Sequence, residues 1–168
     1  MRKGIALGVT ALMASLAFAT EQKLEPLNLK TGLWQSTTKW KYTGLPPQMA
    51  QIAEAAKPTR PAKLCLKPED LNPDKWTTKG LGLNCSSITV LKSTGTDLEV
   101  GAKGCDAGNG MTADGHGEFH VLDSEHVTGS IDATFTGNMP FPTNGSAVHM
   151  HIDYTHKWLG GTCPAGMR

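Results

Sequence analysis

The residues best suited to chemistry in this chain are six histidines, all in its last third and spaced like side chains on extended strands. Successive strand residues point to opposite faces, so His116, Glu118 and His120 share one side of Met111 to Leu122 while Gly117, Phe119 and Val121 share the other. The same parity groups His126 with Thr128, Ser130, Asp132 and Thr134, and groups His149 and His151 with Asp153, Thr155 and Lys157. Five histidines and three carboxylates thus fall on one polar face of a three-stranded sheet. Opposed residues must share a face, which allows a register with His120 opposite His126, Phe119 opposite Val127, His151 opposite Asp132 and His149 opposite Thr134.

Such a face could hold a metal ion. His149 and His151 project the same way and can share one ion, with Asp132, Asp153 or the neighbouring-strand His116, His120 and His126 completing the shell. Neutral imidazole with carboxylate suits zinc or copper, and also nickel or iron. A solvated sheet face has the same composition without any ion, and no compact ligand motif such as H-E-x-x-H is present. Facing histidines would also respond to pH, because imidazoles repel once protonated near their ordinary pKa of ~6.5. His156 breaks the pattern. Parity puts it on the apolar side with Tyr154 and Trp158, where a neutral, hydrogen-bonded core histidine is expected.

Signatures of known catalytic sites are missing. The sequence has no G-x-S-x-G elbow, no G-x-x-x-x-G-K loop and no dinucleotide-binding glycine pattern between a strand and a helix. Glu118 and Asp132 could form a carboxylate pair, but an open polar face without a pocket gives their pKa values little reason to shift. No catalytic residue is predicted, and no cofactor beyond the zinc or copper just described.

The elements that must position these residues are mostly strands. Trp34, Ser36, Thr38, Trp40 and Tyr42 alternate with polar neighbours and form the first. Pro46 and Pro47 can open a helix, since its first N–H groups lack partners anyway, and Met49, Ile52, Ala53 and Ala56 follow at helical spacing up to Pro58. Ala62 to Leu66 is a short strand and Lys67 to Pro73 a connector. From Cys85 onward five strands are predicted: Ser86 to Lys92, Thr96 to Cys105, Met111 to Leu122, Glu125 to Thr136 and Ala147 to Trp158. Asn138 to Gly145 is the one long loop. The expected fold is mainly β, an antiparallel meander forming a barrel or strongly curved sheet, with one short helix after the first strand. Its concave side is expected to be apolar. A ligand cavity there would be lined by Trp34, Trp40, Phe119, Phe135, Met150 and Trp158.

Residues 1–19 read as a signal peptide, with basic Arg2 and Lys3, an uncharged apolar run from Ile5 to Phe18, and Ala17-Phe18-Ala19 before the cut. The run is shorter than the roughly 20 apolar residues of a membrane span, and no other stretch approaches that length. Removing it leaves 149 residues, enough for a single domain over 31–168 behind a flexible lead-in at 20–30. The mature chain carries 14 basic and 15 acidic side chains without a basic cluster, which excludes a nucleic-acid or anionic-membrane surface. Cys65, Cys85, Cys105 and Cys163 form no C-x-x-C pair, so in an exported chain they read as two disulfides. Of three pairings, Cys65–Cys85 with Cys105–Cys163 is preferred, closing a local loop and tying the last strand to mid-sheet.

Several pieces then occur in order: Lys30-Thr31-Gly32-Leu33-Trp34-Gln35, Lys63-Leu64-Cys65-Leu66-Lys67-Pro68-Glu69, Asn84-Cys85, Cys105, Phe135-Thr136-Gly137, and Lys157-Trp158-Leu159-Gly160-Gly161-Thr162-Cys163. With these the chain resembles a secreted bacterial family catalogued as domain of unknown function 3617. The resemblance implies a periplasmic setting and brings no catalytic residues or ligand to carry over. The expected function is a non-catalytic envelope protein that binds a small apolar ligand or a partner protein. The alternatives are zinc or copper binding through the histidine face and, third, an enzyme of unknown reaction.

Overall fold

The alternation that sorts the histidines also builds the sheet. The computed structural model describes residues 24–55, 61–73, 84–139 and 147–167; the segment expected to be a signal peptide and most of the long loop expected before Ala147 lie outside them. Seven strands form one antiparallel half-barrel: β1 (Gly32–Thr43), β2 (Ala62–Leu66), β3 (Ser87–Ser93), β4 (Asp97–Gly108), β5 (Met111–Asp123), β6 (His126–Gly137) and β7 (Val148–Gly160). Helix α1 (Pro47–Ala55) follows β1, and a 3₁₀ turn at Pro68–Leu71 follows β2. The strand order is β2-β1-β7-β6-β5-β4-β3. Strands β3 to β7 make the expected meander, and β1 returns to pair with β7.

One face holds the core. Trp34, Leu98, Val127, Val148 and Ile152 are buried there, and Trp34 is only 1% exposed. Small residues let the large ones fit. A Cβ on Gly129 would meet the Glu118 carbonyl at 2.4 Å and the Phe119 ring at 2.5 Å, so the Phe119 ring lies across a position only glycine can fill.

The segment expected as a flexible lead-in at 20–30 is described from residue 24 onward. Its described residues run along the strand ends, where Leu27 N–H donates to the Leu71 carbonyl, Asn28 N–H to Gly95 and Lys30 N–H to Ser124. The Lys30 ammonium also pairs with Glu125 and lies 4.7 Å from the centre of the Trp158 ring. Leucines at 27 and 29 in this polar stretch supply the apolar anchors.

The disulfides are Cys65–Cys163 and Cys85–Cys105, which corrects the preferred pairing. Strand order explains the difference. Leu33 of β1 pairs with Cys65 on one side and with Gly160 on the other, so the chain leaving β7 has to cross only β1 to reach Cys65. Gly32 permits the crossing, because a Cβ there would lie 2.3 Å from the Gly160 carbonyl oxygen and 2.7 Å from the Gly161 Cα. In the β3–β4 hairpin at the opposite edge of the sheet Ser87 pairs with Lys103, which brings Cys85 and Cys105 together two residues further on.

Candidate functional site

The polar face assembles as parity predicts and curves into a trough of about 930 Å³. Its walls come from six strands and include Lys41, Asp114, His116, Asp132, Thr134, His149 and His151, with Lys103, Thr89 and Leu91 at the far side. An open polar face without a pocket is thus corrected: curvature gives this side of the sheet a hollow of its own.

Cross-strand register sets the pairs within it. His151 lies opposite Asp132 and His149 opposite Thr134, as expected. The His151 ring is held at both nitrogens, with Nδ1 2.7 Å from Asp132 and Nε2 3.3 Å from Asp153. The Asp132 contact leads in raising the His151 pKa above 6.5, supported by Asp153 and opposed by desolvation. His149 instead meets the Thr134 hydroxyl at 3.1 Å. The two histidines expected to share an ion are therefore engaged with different partners.

The β5–β6 hairpin departs from the expected register by two residues. A bulge between Val121 and Asp123 sets Val121 opposite Val127, Phe119 opposite Gly129 and His120 opposite Thr128. His120 consequently turns to Asp97 at 2.7 Å, and His126 to Asp123 at 3.0 Å. Both carboxyls lie below the usual aspartate range, Asp97 chiefly through His120 and Asp123 chiefly through the Glu125 backbone N–H, with His126 next. His120 and His126 thus face carboxylates rather than each other.

Among the described residues, one set of three potential ligands has atoms all within 4.8 Å of one another: Glu99, His116 and Glu118. His116 was expected at a metal site, but Glu99 was not. The missed signal was parity on β4, which puts Asp97 and Glu99 opposite Leu98 and Val100 and so on the histidine face.

The apolar face carries a second cavity of about 200 Å³. Nine of its lining side chains are apolar: Leu27, Leu29, Trp34, Leu64, Leu66, Leu98, Phe119, Val121 and Val127. Asp70 and His156 are the others. Of the expected cavity residues, Trp34 and Phe119 line it. Trp40 stacks near Tyr42 instead, Met150 borders the trough, Phe135 pairs with Val148, and Trp158 donates its Nε1–H to the Thr31 carbonyl. The cavity lies toward the lead-in end of the sheet, whereas the predicted set ran along its whole apolar face.

His156 sits on that cavity wall, opposite Ser36 and Val127 and stacked on Tyr154 at 5.6 Å. Burial lowers its pKa below 6.5, so it is neutral at pH 7. A depressed histidine subtracts stability as pH falls from ~6.5 through its folded value, because the unfolded chain then binds the proton better. The raised His151 acts oppositely, adding stability below ~6.5 that is lost as pH rises through its folded value. In imidazole NMR titrations His156 is expected to titrate below 6.5 and His151 above it. His156→Phe should reduce the loss of urea stability between pH 7 and 5; an unchanged slope would remove His156 as its source.

No helix among the described residues is long and apolar enough to cross a membrane, and the two disulfides fit an oxidising, extracellular environment. No curated protein and no solved structure matches the chain. The sequence profile of one family matches residues 29–163, from the docked lead-in to the last cysteine of the disulfide-closed sheet. The chain therefore belongs to the family described as protein of unknown function DUF3617.

Proposed function

We propose that this is a non-catalytic binding protein of the bacterial envelope that holds a small apolar molecule, or the end of an acyl chain, in the cavity beneath its lead-in. The observation that carries the reading is the cavity of about 200 Å³ with nine apolar side chains around it. Protein interiors are normally packed to crystal density, and apolar surface left facing space forgoes dispersion and transfer free energy that an apolar occupant restores. A cavity of ~150 Å³ with similar walls takes up benzene, so this one suits a single ring or a short alkyl chain. His156 gives it one neutral polar group, which can orient a ligand's polar end without the desolvation cost of a buried charge.

The polar trough is less suited to that role. Its central histidines already contact Asp132, Asp153 and Thr134, so a ligand there must compete with formed pairs.

Toluene and straight-chain alcohols of increasing length, titrated into the mature protein under amide NMR, test the proposal. Shifts confined to Leu98, Phe119, Val121 and Val127, with affinity rising with chain length and then levelling, are expected. Val121→Phe, which fills the space, should weaken binding at least ~10-fold, about 1.4 kcal/mol. Absence of saturable binding, or equal binding by Val121→Phe, would refute it.

A further inference from the structure

We propose that Glu99, His116 and Glu118 form a binding site for a zinc-like divalent cation at the edge of the polar trough. Strand register brings the three side chains together. Glu99 of β4 and Glu118 of β5 are direct cross-strand partners, an arrangement in which like charges repel. His116 lies two residues before Glu118 on the same face; its partner on β4 is Gly101, which has no side chain to compete for the space, and its partner on β6 is Asp132, which contacts His151. The His116 ring reaches both glutamates: Nε2 is 3.5 Å from Glu99 Oε1 and 3.3 Å from Glu118 Oε1.

Those separations suit a shared ion. Tetrahedral bonds of about 2.0 to 2.2 Å give ligand-to-ligand edges of about 3.3 to 3.6 Å. Both imidazole–carboxylate distances already fall in this range, and all three ligand atoms lie within 4.8 Å of one another. The two carboxylate oxygens also lie within 4.8 Å of each other, and Glu118, although it contacts His116, is exposed. One imidazole and two carboxylates, without sulfur, form a donor set for zinc or a harder divalent ion rather than Cu(I). Three protein ligands leave a position for water or an anion from the trough, which His116 also lines. The site differs from the one built on His149 and His151 by drawing on β4 and β5, and it is independent of the apolar cavity on the other face.

The competing account is an ion pair, with a protonated His116 neutralising both acids. Zinc titration of metal-free mature protein, followed by calorimetry and by competition with a chromophoric chelator, separates the two. Wild type is expected to bind one equivalent. Glu118→Gln should lower the affinity at least ~10-fold, and His116→Lys should do the same while keeping a cation between the carboxylates and the fold intact by circular dichroism. The double variant His149→Ala/His151→Ala should bind as wild type does. The proposal is overturned if wild type takes up no zinc, if His116→Lys binds as tightly as wild type, or if the loss follows His149 and His151 instead.

Discussion

Replacing Cys65 and Cys163 together with alanine is expected to lower stability by about 4 to 5 kcal/mol, against about 3 kcal/mol for the Cys85 and Cys105 pair. The two crosslinks span 98 and 20 residues, and closing the longer loop removes more freedom from the unfolded chain. Position reinforces the order. Cys65 is buried on the edge strand β2, whose paired segment is five residues long, and its bond fixes both that edge and the tail beyond β7. Cys85–Cys105 instead joins strands that already pair along a hairpin. Urea unfolding without reductant measures both variants, and peptide mapping of the native protein checks the connectivity. Equal losses, or a mapped Cys65–Cys85 bond, would contradict the strand order that brings these cysteines together.

What the sequence disclosed follows from the range of each interaction. Strand alternation is local, so parity alone placed His116, Glu118, His120, Asp132, His149 and His151 on one face and His156 on the other. The β6–β7 register was legible too, because the faces of His151 and Asp132 leave few alignments. The β5–β6 register was not, since a bulge near Leu122 moves the pairing by two residues without changing which side any residue faces. Disulfide pairing depends on β1 lying between β2 and β7, a long-range fact that cysteine spacing does not carry. Curvature is likewise a property of the whole sheet, which is why the trough on the polar side went unforeseen while the apolar face did not. The metal candidate falls between these cases: His116 was legible by parity, but its two partners meet only through the β4–β5 register.

Trp34→Ala is expected to destabilise the domain by about 3 to 5 kcal/mol, the range for truncating a large buried aromatic. Marginal stabilities of about 5 to 15 kcal/mol make this a large share of the total. Trp34 lies between Leu64 on β2 and Trp158 on β7, is almost wholly buried, and lines the apolar cavity. Its Nε1–H also donates to the Lys30 carbonyl at 2.9 Å, which ties the lead-in to β1. Two effects can therefore be separated. Trp34→Phe keeps most of the apolar bulk but loses the donor, and should cost about 0.5 to 1.5 kcal/mol for the hydrogen bond plus a smaller packing loss. In that variant hydrogen exchange should quicken at the Leu27, Asn28 and Lys30 amides, whose bonds to Leu71, Gly95 and Ser124 hold the lead-in, while Ile152 in mid-sheet stays protected. Trp34→Ala should show the same local loosening together with the global loss, and its wider cavity should admit longer alcohols than wild type does. A loss below about 1 kcal/mol for Trp34→Ala would mean that this tryptophan does not anchor the core. Unchanged exchange at the three lead-in amides in both variants would mean that the leucines and backbone bonds hold the segment without it.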